Sequence, residues 1–369
     1  MVKGGFIKTV WAAFKKSKVI TKIGIAIFIV AWVFCCVITL SNTHYVCDTP
    51  GSVDSASSNI YVNGGSTNIF TIGVYEDYNL SKFQYWVAQK EASFSLELFD
   101  SSSQLSEKDE NTRGTYLKGL AEINAVIAAY DAAIQYETDN GLTPTVSYDK
   151  TYKGIMCTAV LPSAITDLEM GDIVTKINGQ EFSSYTEFKT LLWALIENKP
   201  EYNVKFELTI VRDDEEKTIS NTIVYNATEK NYSFGVELFD YYTISNPNPT
   251  FNVKTSGSMG SSGGAMITLS LYQSLLADYG DVTKNYTIAG TGTIDADGNV
   301  GEIACITQKV YTLTLPNYSG VEIFFCPVEN YEEALQAKES SGATFEIVKV
   351  ATFTDILNYL NTLPEKESA

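Results

Sequence analysis

The hydrophobic and polar positions of this chain follow several patterns, one after another. Residues 23–40 are uniformly apolar and uncharged, which predicts a helix of about 27 Å, close to the thickness of a bilayer's hydrocarbon core. From Tyr116 the apolar residues recur at steps of three and four, which predicts an amphipathic helix. From Gly154 onward, short β-like runs are separated by turns, with one helix near residues 184–197. The pattern therefore predicts an α+β protein with a single N-terminal transmembrane helix.

The charges around the apolar run predict its direction across the membrane. Six lysines and no acidic residue precede it, and the next charged residue after it is Asp48. The positive-inside rule then places residues 1–22 in the cytoplasm as a basic stub and the chain beyond residue 41 outside the cell membrane. A cleaved signal peptide is the alternative, but its apolar core would be shorter and would end in a small-residue cleavage site. Lipoprotein cleavage at Cys35 or Cys36 is a further alternative.

The segment 41–150 is interpreted as an extracytoplasmic stalk. The runs SNIYV and NIFTIGVYE read as two strands joined by the turn NGGST. The polar stretch SSSQLSEKDENTR reads as a loop or a lead-in to the amphipathic helix, and its charges as a solvated face. The stalk strands could also complete the domain that follows them.

Residues 151–218 contain the run LEMGDIVTKINGQ, in which two turns flank the strand IVTKI. This block resembles a PDZ domain of the bacterial type. The resemblance implies binding of an extended peptide along a sheet edge, with backbone N–H groups holding its carboxylate. By position, the carboxylate-binding loop would include Gly154 and Ile155. The alternative is a small β-rich domain that only spaces the C-terminal part from the membrane.

The composition excludes several classes of function. The formal net charge is −18 and the only arginines are Arg113 and Arg212, so no nucleic-acid partner is expected. The single histidine is His44, close to the apolar run, which leaves no base for a Ser-His-Asp or Cys-His arrangement and no histidine-rich zinc site. The six cysteines show no metal-binding spacing. No metal or other cofactor is expected.

The Ser/Gly-rich loop SGSMGSSGG leads into an amphipathic helix whose shared face includes Ala265, Leu269, Tyr272, Leu276 and Tyr279. A serine at such a helix N-terminus suits a nucleophile, because free N–H groups and the helix dipole can stabilise an oxyanion. The chain contains no G-x-x-x-x-G-K-[ST] motif, so a Walker-type ATPase is excluded. Loops of this composition also cap helices without any chemical role.

A short helix in EIACITQKVYTLTL carries Lys309. A serine without histidine can be activated by a neutral lysine amine, and apolar neighbours such as Ile306 and Val310 would lower that lysine's pKa by desolvation. The alternative is a solvated or snorkelling lysine.

These two elements resemble the Lon-type peptidase domain. The motif G-S-S-G-G resembles that family's G-P-S-A-G nucleophile motif, and AGTGTIDADGNVGEIACITQKV resembles the strand–turn–helix that ends in its catalytic lysine. The resemblance implies that Ser262 is the nucleophile, Lys309 the general base and Thr291 a residue that supports the dyad. It also implies an oxyanion hole from the backbone N–H groups of Ser261 and Ser262.

The order of membrane anchor, PDZ-like block and Lon-like domain resembles the bacterial membrane-anchored PDZ–Lon peptidases. This resemblance extends from the membrane segment to about residue 363, and it is weakest over 76–150. It implies a Lon-like domain at 219–363, followed by a tail at 364–369. Two departures are notable: Ser261 and Gly263 replace the family's proline and alanine, and Ala304 and Cys305 replace paired glycines before the lysine. The resemblance also implies assembly into homo-oligomeric rings.

The sequence thus predicts a membrane-anchored, ATP-independent serine endopeptidase that cleaves exported or membrane proteins, with the PDZ-like domain presenting the protein or peptide substrate. One alternative is a catalytically inactive membrane adaptor with the same domains, which binds partner proteins. Another is a cell-surface hydrolase of non-peptide acyl substrates that uses the same dyad.

Overall fold

The computed structural model describes residues 15, 18–62, 68–198, 200–254, 259–318 and 320–366. The chain divides into two units, one formed by residues 1–47 with 76–99 and the other by residues 48–75 with 100–369. Helices and strands are mixed in the chain, which confirms the predicted α+β class.

The helices of the described residues are α1 (Val19–Leu40), α2 (Lys82–Ala88), α3 (Glu107–Asp139), α4 (Tyr185–Ala194), α5 (Gly264–Leu275), α6 (Ile306–Thr312), α7 (Tyr331–Ser341) and α8 (Phe353–Thr362). The strands are β1 (Tyr45–Ser55), β2 (Ile60–Tyr61), β3 (Ile69–Asp77), β4 (Ser95–Leu98), β5 (Ser147–Val160), β6 (Ile165–Thr166), β7 (Ile173–Ile177), β8 (Gln180–Glu181), β9 (Val204–Arg212), β10 (Glu215–Asn226), β11 (Asn231–Ser233), β12 (Val236–Asn248), β13 (Asn252–Val253), β14 (Ile288–Gly290), β15 (Thr293–Ile294), β16 (Val300–Gly301), β17 (Ile323–Pro327) and β18 (Glu346–Val350).

The first unit contains α1, the helix of the described residues that is long and apolar enough to cross a membrane. It has 22 residues, a mean hydropathy of 2.8 over its most apolar stretch and no buried residue there. The helix begins four residues earlier than the predicted span of 23–40. The small helix α2 follows, and a capping box at Ser81 and Gln84 fixes its start.

The second unit is built around strands that hydrogen-bond in the order β18–β17–β14–β3–β1. The pairs β3–β14, β14–β17 and β17–β18 are parallel. Strand β17, IFFCP, is buried at every residue, as expected for a parallel strand that is covered on both faces. Phe325 faces a core shared with α3, α5 and α8. Phe324 faces a second core shared with α6 and α7.

Helix α3 is the longest element and lies against α5. It begins at Glu107 with an N-cap from Ser106, so most of the polar stretch that was predicted to precede the helix forms its first turns. Buried side chains of its C-terminal half, including Val126 and Tyr130, share one apolar core with α5. Its last turn is fixed by the fully buried Glu137, whose carboxylate accepts N–H bonds from Thr145 and Val146.

A second sheet interrupts this α/β core. Its strands follow the order β11–β10–β9–β7–β5–β12, and β6 and β8 pair at its side. Only Phe234 and Gly235 separate β11 from β12, which are the two ends of the order, so the sheet must curve until its ends approach each other. Helix α4 closes the apolar core of this sheet through Phe188 and Leu192.

The observed sheets cross the boundaries that were drawn from the sequence. Residues 48–55 and 69–75 of the predicted stalk are strands of the α/β core, in the same sheet as β14 and β17. Residue 218 falls within β10, and β12 pairs with β5. Residues 219–226 and 236–248, which were predicted to belong to the Lon-like domain, are therefore part of the curved sheet. The physical reason is that local periodicity specifies a strand but not its partner.

Candidate active site

Ser262 lies in the loop that leads into α5, and the end of β14 holds that loop in place. The carbonyl of Ser262 accepts the N–H of Gly292 at 2.8 Å and the hydroxyl of Thr291 at 3.0 Å. The N–H of Ala265 donates to the carbonyl of Gly292 at 3.1 Å. Two hydrogen bonds to the serine's carbonyl and one from Ala265 thus tie the loop and the start of α5 to the residues just beyond a buried parallel strand.

The glycine that follows the loop allows this close packing. A Cβ atom at Gly264 would lie 2.8 Å from Cγ2 and 3.0 Å from the backbone nitrogen of Ile294. Any side chain at Gly264 would therefore push α5 away from β15. On its other side, the loop is held to α3, since the N–H of Gly260 donates to the carbonyl of Gly114 at 2.9 Å.

Lys309 projects from α6 toward Ser262. Its Nζ lies 3.0 Å from Ser262 Oγ and 2.6 Å from the carbonyl oxygen of Ile72 in β3. The lysine is 2% exposed, whereas Ser262 is partly open to solvent. The structure therefore brings together the two side chains that the sequence singled out, with the lysine inside the fold and the serine at its surface.

Burial changes the acid–base behaviour of this lysine. Desolvation disfavours the charged ammonium form, and it lowers the pKa of Lys309 from 10.5 to about 8. The nearest hydrogen-bond acceptors are neutral, so no carboxylate compensates for that loss of hydration. A substantial fraction of the amine is thus neutral in mildly alkaline solution and can accept a proton.

This lowered pKa predicts that Lys309 makes folding depend on pH. Between pH 8 and 10.5 the unfolded chain binds a proton at Lys309 that the folded chain does not, so stability rises with pH in this window. Across this pH window the free energy of unfolding should rise by about 3 kcal/mol, at about 1.4 kcal/mol for each pKa unit. Urea unfolding of the parent and of Lys309→Met at pH 7 and pH 10 measures it. Between pH 7 and pH 10, we expect the free energy of unfolding of the parent to rise by most of this amount relative to that of the variant. Equal pH dependence of the two proteins would contradict the lowered pKa of Lys309.

Thr291 contacts the site at a different place from the lysine. Its side chain is fully buried, and its hydroxyl donates to the backbone carbonyl of Ser262, not to the Lys309 amine. Thr291 therefore positions the main chain of the serine. The sequence predicted a supporting role but could not specify the atom.

The backbone N–H groups of Ser261 and Ser262 are the predicted oxyanion donors. Within the described ranges, neither N–H donates to another group of the chain. Both precede the first turn of α5, where the helix dipole adds partial positive charge. Such unused donors next to a nucleophile can stabilise the negative oxygen of a tetrahedral intermediate.

An open groove of about 730 Å³ lies beside the same loop. Met259, which is 55% exposed, forms one wall. The other wall consists of residues from the first three turns of α3: Glu107, Lys108, Asn111, Thr112, Thr115 and Tyr116.

The prediction of a carboxylate-binding loop at Gly154 and Ile155 is wrong. Both residues lie inside β5, between β12 on one side and β7 on the other. Gly154 has φ +125°, and a Cβ there would lie 2.3 Å from the carbonyl oxygen of Val174. The glycine serves close packing of adjacent strands, a role that looks the same in the sequence as close approach to a ligand.

The geometry that was predicted for residues 154 and 155, a backbone N–H able to bind a peptide carboxylate at a sheet edge, occurs instead at the edge strand β12. Gly235, with φ +74°, precedes it, and the carbonyl of Gly235 accepts the N–H of Leu161 at 2.8 Å. Because Val236 is opposite Val160, this bond marks a non-hydrogen-bonded pair, so the N–H of Val236 points away from β5. Sequence reasoning missed this edge because its place in the sheet depends on distant pairing.

Helix α4 lies alongside β12. The backbone N–H of Tyr185, at the start of the helix, donates to Asp240 Oδ1 at 2.6 Å. Phe188 of the helix and Leu238 of the strand share one apolar core. The strand edge is thus accompanied by a helix whose side chains could contact an added peptide.

Among the described residues, no group of three or more His, Cys, Asp or Glu side chains is placed to hold a metal ion.

Both arginines are engaged in ion pairs. Arg113 contacts Glu237 at 2.7 Å, and Arg212 contacts the buried Asp172 at 2.6 Å. The guanidinium groups therefore have structural partners within the fold.

Compared with known proteins, the chain matches no family model and no curated protein sequence.

Proposed function

We propose that this chain is a membrane-anchored serine endopeptidase that acts through a Ser262–Lys309 dyad. The observation that carries the proposal is the 3.0 Å contact between Ser262 Oγ and a lysine amine that is buried and that forms no ion pair with a carboxylate among the described residues. Burying a lysine lowers the stability of the fold. Buried lysines with a lowered pKa are found where the neutral amine acts in catalysis, as a general base does.

The chemistry follows from the positions of the atoms. Ser262 Oγ attacks the carbonyl carbon of a peptide bond while its proton passes to neutral Lys309 Nζ. The carbonyl of Ile72 accepts an N–H of that amine and so orients its lone pair toward the serine. The N–H groups of Ser261 and Ser262 stabilise the oxyanion. Lys309 then protonates the leaving amine, and water activated by the same amine hydrolyses the acyl-enzyme.

The family resemblance supports the same proposal. At Cys305, where the Lon-type family has a glycine before the lysine, φ is +61°. This left-handed backbone favours glycine, so the local conformation fits the family's motif even though the side chain differs.

The experiment that tests the proposal uses the full chain, purified in detergent and incubated with casein as an unfolded substrate. EDTA is present and ATP is absent. We expect cleavage that increases with pH up to a plateau above about pH 8, because only neutral Lys309 can accept the proton. A folded protein that cleaves neither casein nor a peptide library would support the adaptor instead. Turnover of simple esters without peptide cleavage would support the acyl hydrolase.

Thr291→Val is expected to lower kcat about fivefold with little change in KM. The variant loses one hydrogen bond to the Ser262 carbonyl, worth about 1 kcal/mol, while the Gly292 N–H still holds that carbonyl. Casein cleavage at several substrate concentrations separates kcat from KM. Thr291→Ser keeps the hydroxyl and should retain most of the rate. A Thr291→Val enzyme with parental kcat would show that this hydroxyl does not position the serine.

We also propose that substrate peptides add to the outer edge of β12, with their C-terminal carboxylate at the N–H of Val236. Val236→Pro removes that N–H and leaves the ladder with β5 intact, because the N–H points away from β5. We expect at least about a tenfold loss of affinity for C-terminal peptides, since a charge-assisted hydrogen bond is lost. Fluorescence anisotropy measures the affinity, with C-terminally amidated peptides as the control. Equal binding of acid and amide peptides would contradict this assignment.

A further inference from the structure

Helix α2, in the first unit, has an inner and an outer face of different character. Its inner face packs through Ala88 and Tyr85 in a small apolar cluster with Cys47 and Leu80. Its outer face presents two large aromatic side chains, Phe83 at 46% and Trp86 at 53% exposure. Exposed aromatic residues side by side on one helix face indicate an interaction surface.

The aromatic residues of the outer face form an ordered pair. The rings of Phe83 and Trp86 stack with their centroids 6.1 Å apart. The ammonium of Lys90 lies 3.8 Å from the centroid of the Trp86 ring. The face thus combines an apolar surface with a cation directly above it, as do the Trp and Lys residues that anchor proteins at a membrane interface.

Backbone hydrogen bonds fix α2 to the end of α1. The N–H of Lys82 donates to the carbonyl of Ser41 at 3.0 Å, and the N–H of Thr43 donates to the carbonyl of Leu80 at 2.7 Å. Asn42 and Ser81 form an antiparallel bridge. The first residue of α2 therefore lies directly beside the residue that follows the apolar helix.

Helix length then determines the depth of α2. Helix α1 has 22 residues, about 33 Å at 1.5 Å per residue, against a hydrocarbon core of about 30 Å. When α1 spans a bilayer, Ser41 lies where the hydrocarbon ends and the headgroups begin. The headgroup layer is about 5–8 Å thick on each side, so the first turn of α2 starts within it.

The geometry points to a second membrane contact: the outer face of α2, formed by Phe83 and Trp86, lies in the headgroup layer of the leaflet from which α1 emerges. The two rings lie at the hydrocarbon boundary, and the Lys90 ammonium lies at the level of the lipid phosphates. This inference rests on the membrane anchor of the proposed function and not on the Ser262–Lys309 chemistry. The contact adds a lateral attachment to the single helix and restricts the tilt of the first unit.

Quenching of single tryptophans tests the inference in the full chain. The four tryptophans are Trp11, Trp32, Trp86 and Trp193; one variant keeps only Trp86 and another keeps only Trp32 of α1, with phenylalanine at the other three positions. Both are reconstituted into phosphatidylcholine–phosphatidylglycerol vesicles, with or without bromine on the acyl chains. The bromine lies near the headgroups for the Trp86 variant and near the bilayer centre for the Trp32 variant, because Trp32 is nine residues before Ser41, about 13 Å inside the hydrocarbon boundary. We expect bromine to reduce Trp86 emission about twofold, and the vesicles to shield Trp86 from aqueous iodide, as for an interfacial tryptophan. Adding Phe83→Ser to the Trp86 protein should weaken the bromine effect.

Each of the other outcomes would overturn the inference, and each would indicate different surroundings for Trp86 or for α1. Quenching of Trp86 by iodide but not by bromine would place the outer face of α2 in water. Protection from both quenchers would mean that protein, such as a second copy of the chain, covers that face. Absence of bromine quenching at Trp32 would remove the anchor itself, and with it this inference, while casein cleavage would still report on the Ser262–Lys309 dyad.

Discussion

Ser262→Ala is expected to abolish casein cleavage, with a loss of about a thousandfold or more, because Ser262 Oγ is the hydroxyl that hydrogen-bonds the Lys309 amine in the described part of the chain. The substitution removes one oxygen atom from a partly exposed loop residue, so it should leave thermal unfolding nearly unchanged. The loss would appear in kcat, since the serine acts in the transition state and contributes little to substrate binding. Initial rates of casein cleavage, together with unfolding curves, measure both quantities.

Ser261→Ala is the matched control for that variant. It removes the same atom one residue earlier and keeps the backbone N–H that the proposal uses. We expect it to keep most of the activity. The reverse pattern, with Ser261→Ala inactive and Ser262→Ala active, would identify Ser261 as the nucleophile. Full activity of both variants would mean that cleavage comes from another residue or from a contaminating protease.

Lys309→Arg should be as inactive as Ser262→Ala, although it keeps the positive charge. A guanidinium stays protonated at any working pH, so it cannot accept the proton of Ser262. Lys309→Met removes the base but fills a similar volume in the apolar surroundings, so a loss of about a thousandfold or more would again be a loss of chemistry. The comparison of Arg with Met separates the need for a neutral amine from the need for a cation.

The control for these variants is Lys349→Met, which changes an exposed lysine of β18. It should cleave casein at the parental rate. Retention of activity by Lys309→Arg would exclude the general-base role, because an arginine could then only contribute charge. Loss of folding in both Lys309 variants would be visible in their unfolding curves and would shift the weight of the test to Ser262→Ala.

The two side chains of the dyad could be predicted from the sequence, and the main-chain carbonyl that orients the lysine could not. The loop before α5 and the lysine on α6 were recognisable from residue types, and the structure places Ser262 and Lys309 in contact. The carbonyl of Ile72, which orients the amine, carries no signal because every residue has a carbonyl. Its role follows only from the position of β3 in the sheet.

The helical periodicity predicted which residues on one face of α5 are buried, but it did not predict the residue at which the helix ends. Ala265, Leu269, Tyr272 and Leu276 on the predicted face of α5 are buried, whereas Tyr279, beyond the end of the helix, is 41% exposed. The helix ends at Leu275, and a short 3-10 turn changes the direction of the chain. The periodic pattern continues through such a change and cannot report it.

Strand pairing was the least predictable feature. Strands β1 and β3 share a sheet with β14, β17 and β18, which come after residue 287, and the strands of the curved sheet lie between the two groups in sequence. The local sequence of a strand does not show whether it pairs with the next strand in the chain or with one that is distant in sequence. For the same reason, Gly154 was placed in a loop although it lies in the interior of a sheet.

The distance along the chain between Lys309 and the carbonyl that orients it, 237 residues, has a consequence for biogenesis. Synthesis proceeds from the N-terminus at about 5–20 residues per second, so Ile72 is made at least about ten seconds before its partner. Ser262 is made 47 residues before Lys309, at least about two seconds earlier at the same rate. On the proposed function, a chain that is still being made is therefore inactive until Lys309 has been added and lies beside the carbonyl of Ile72.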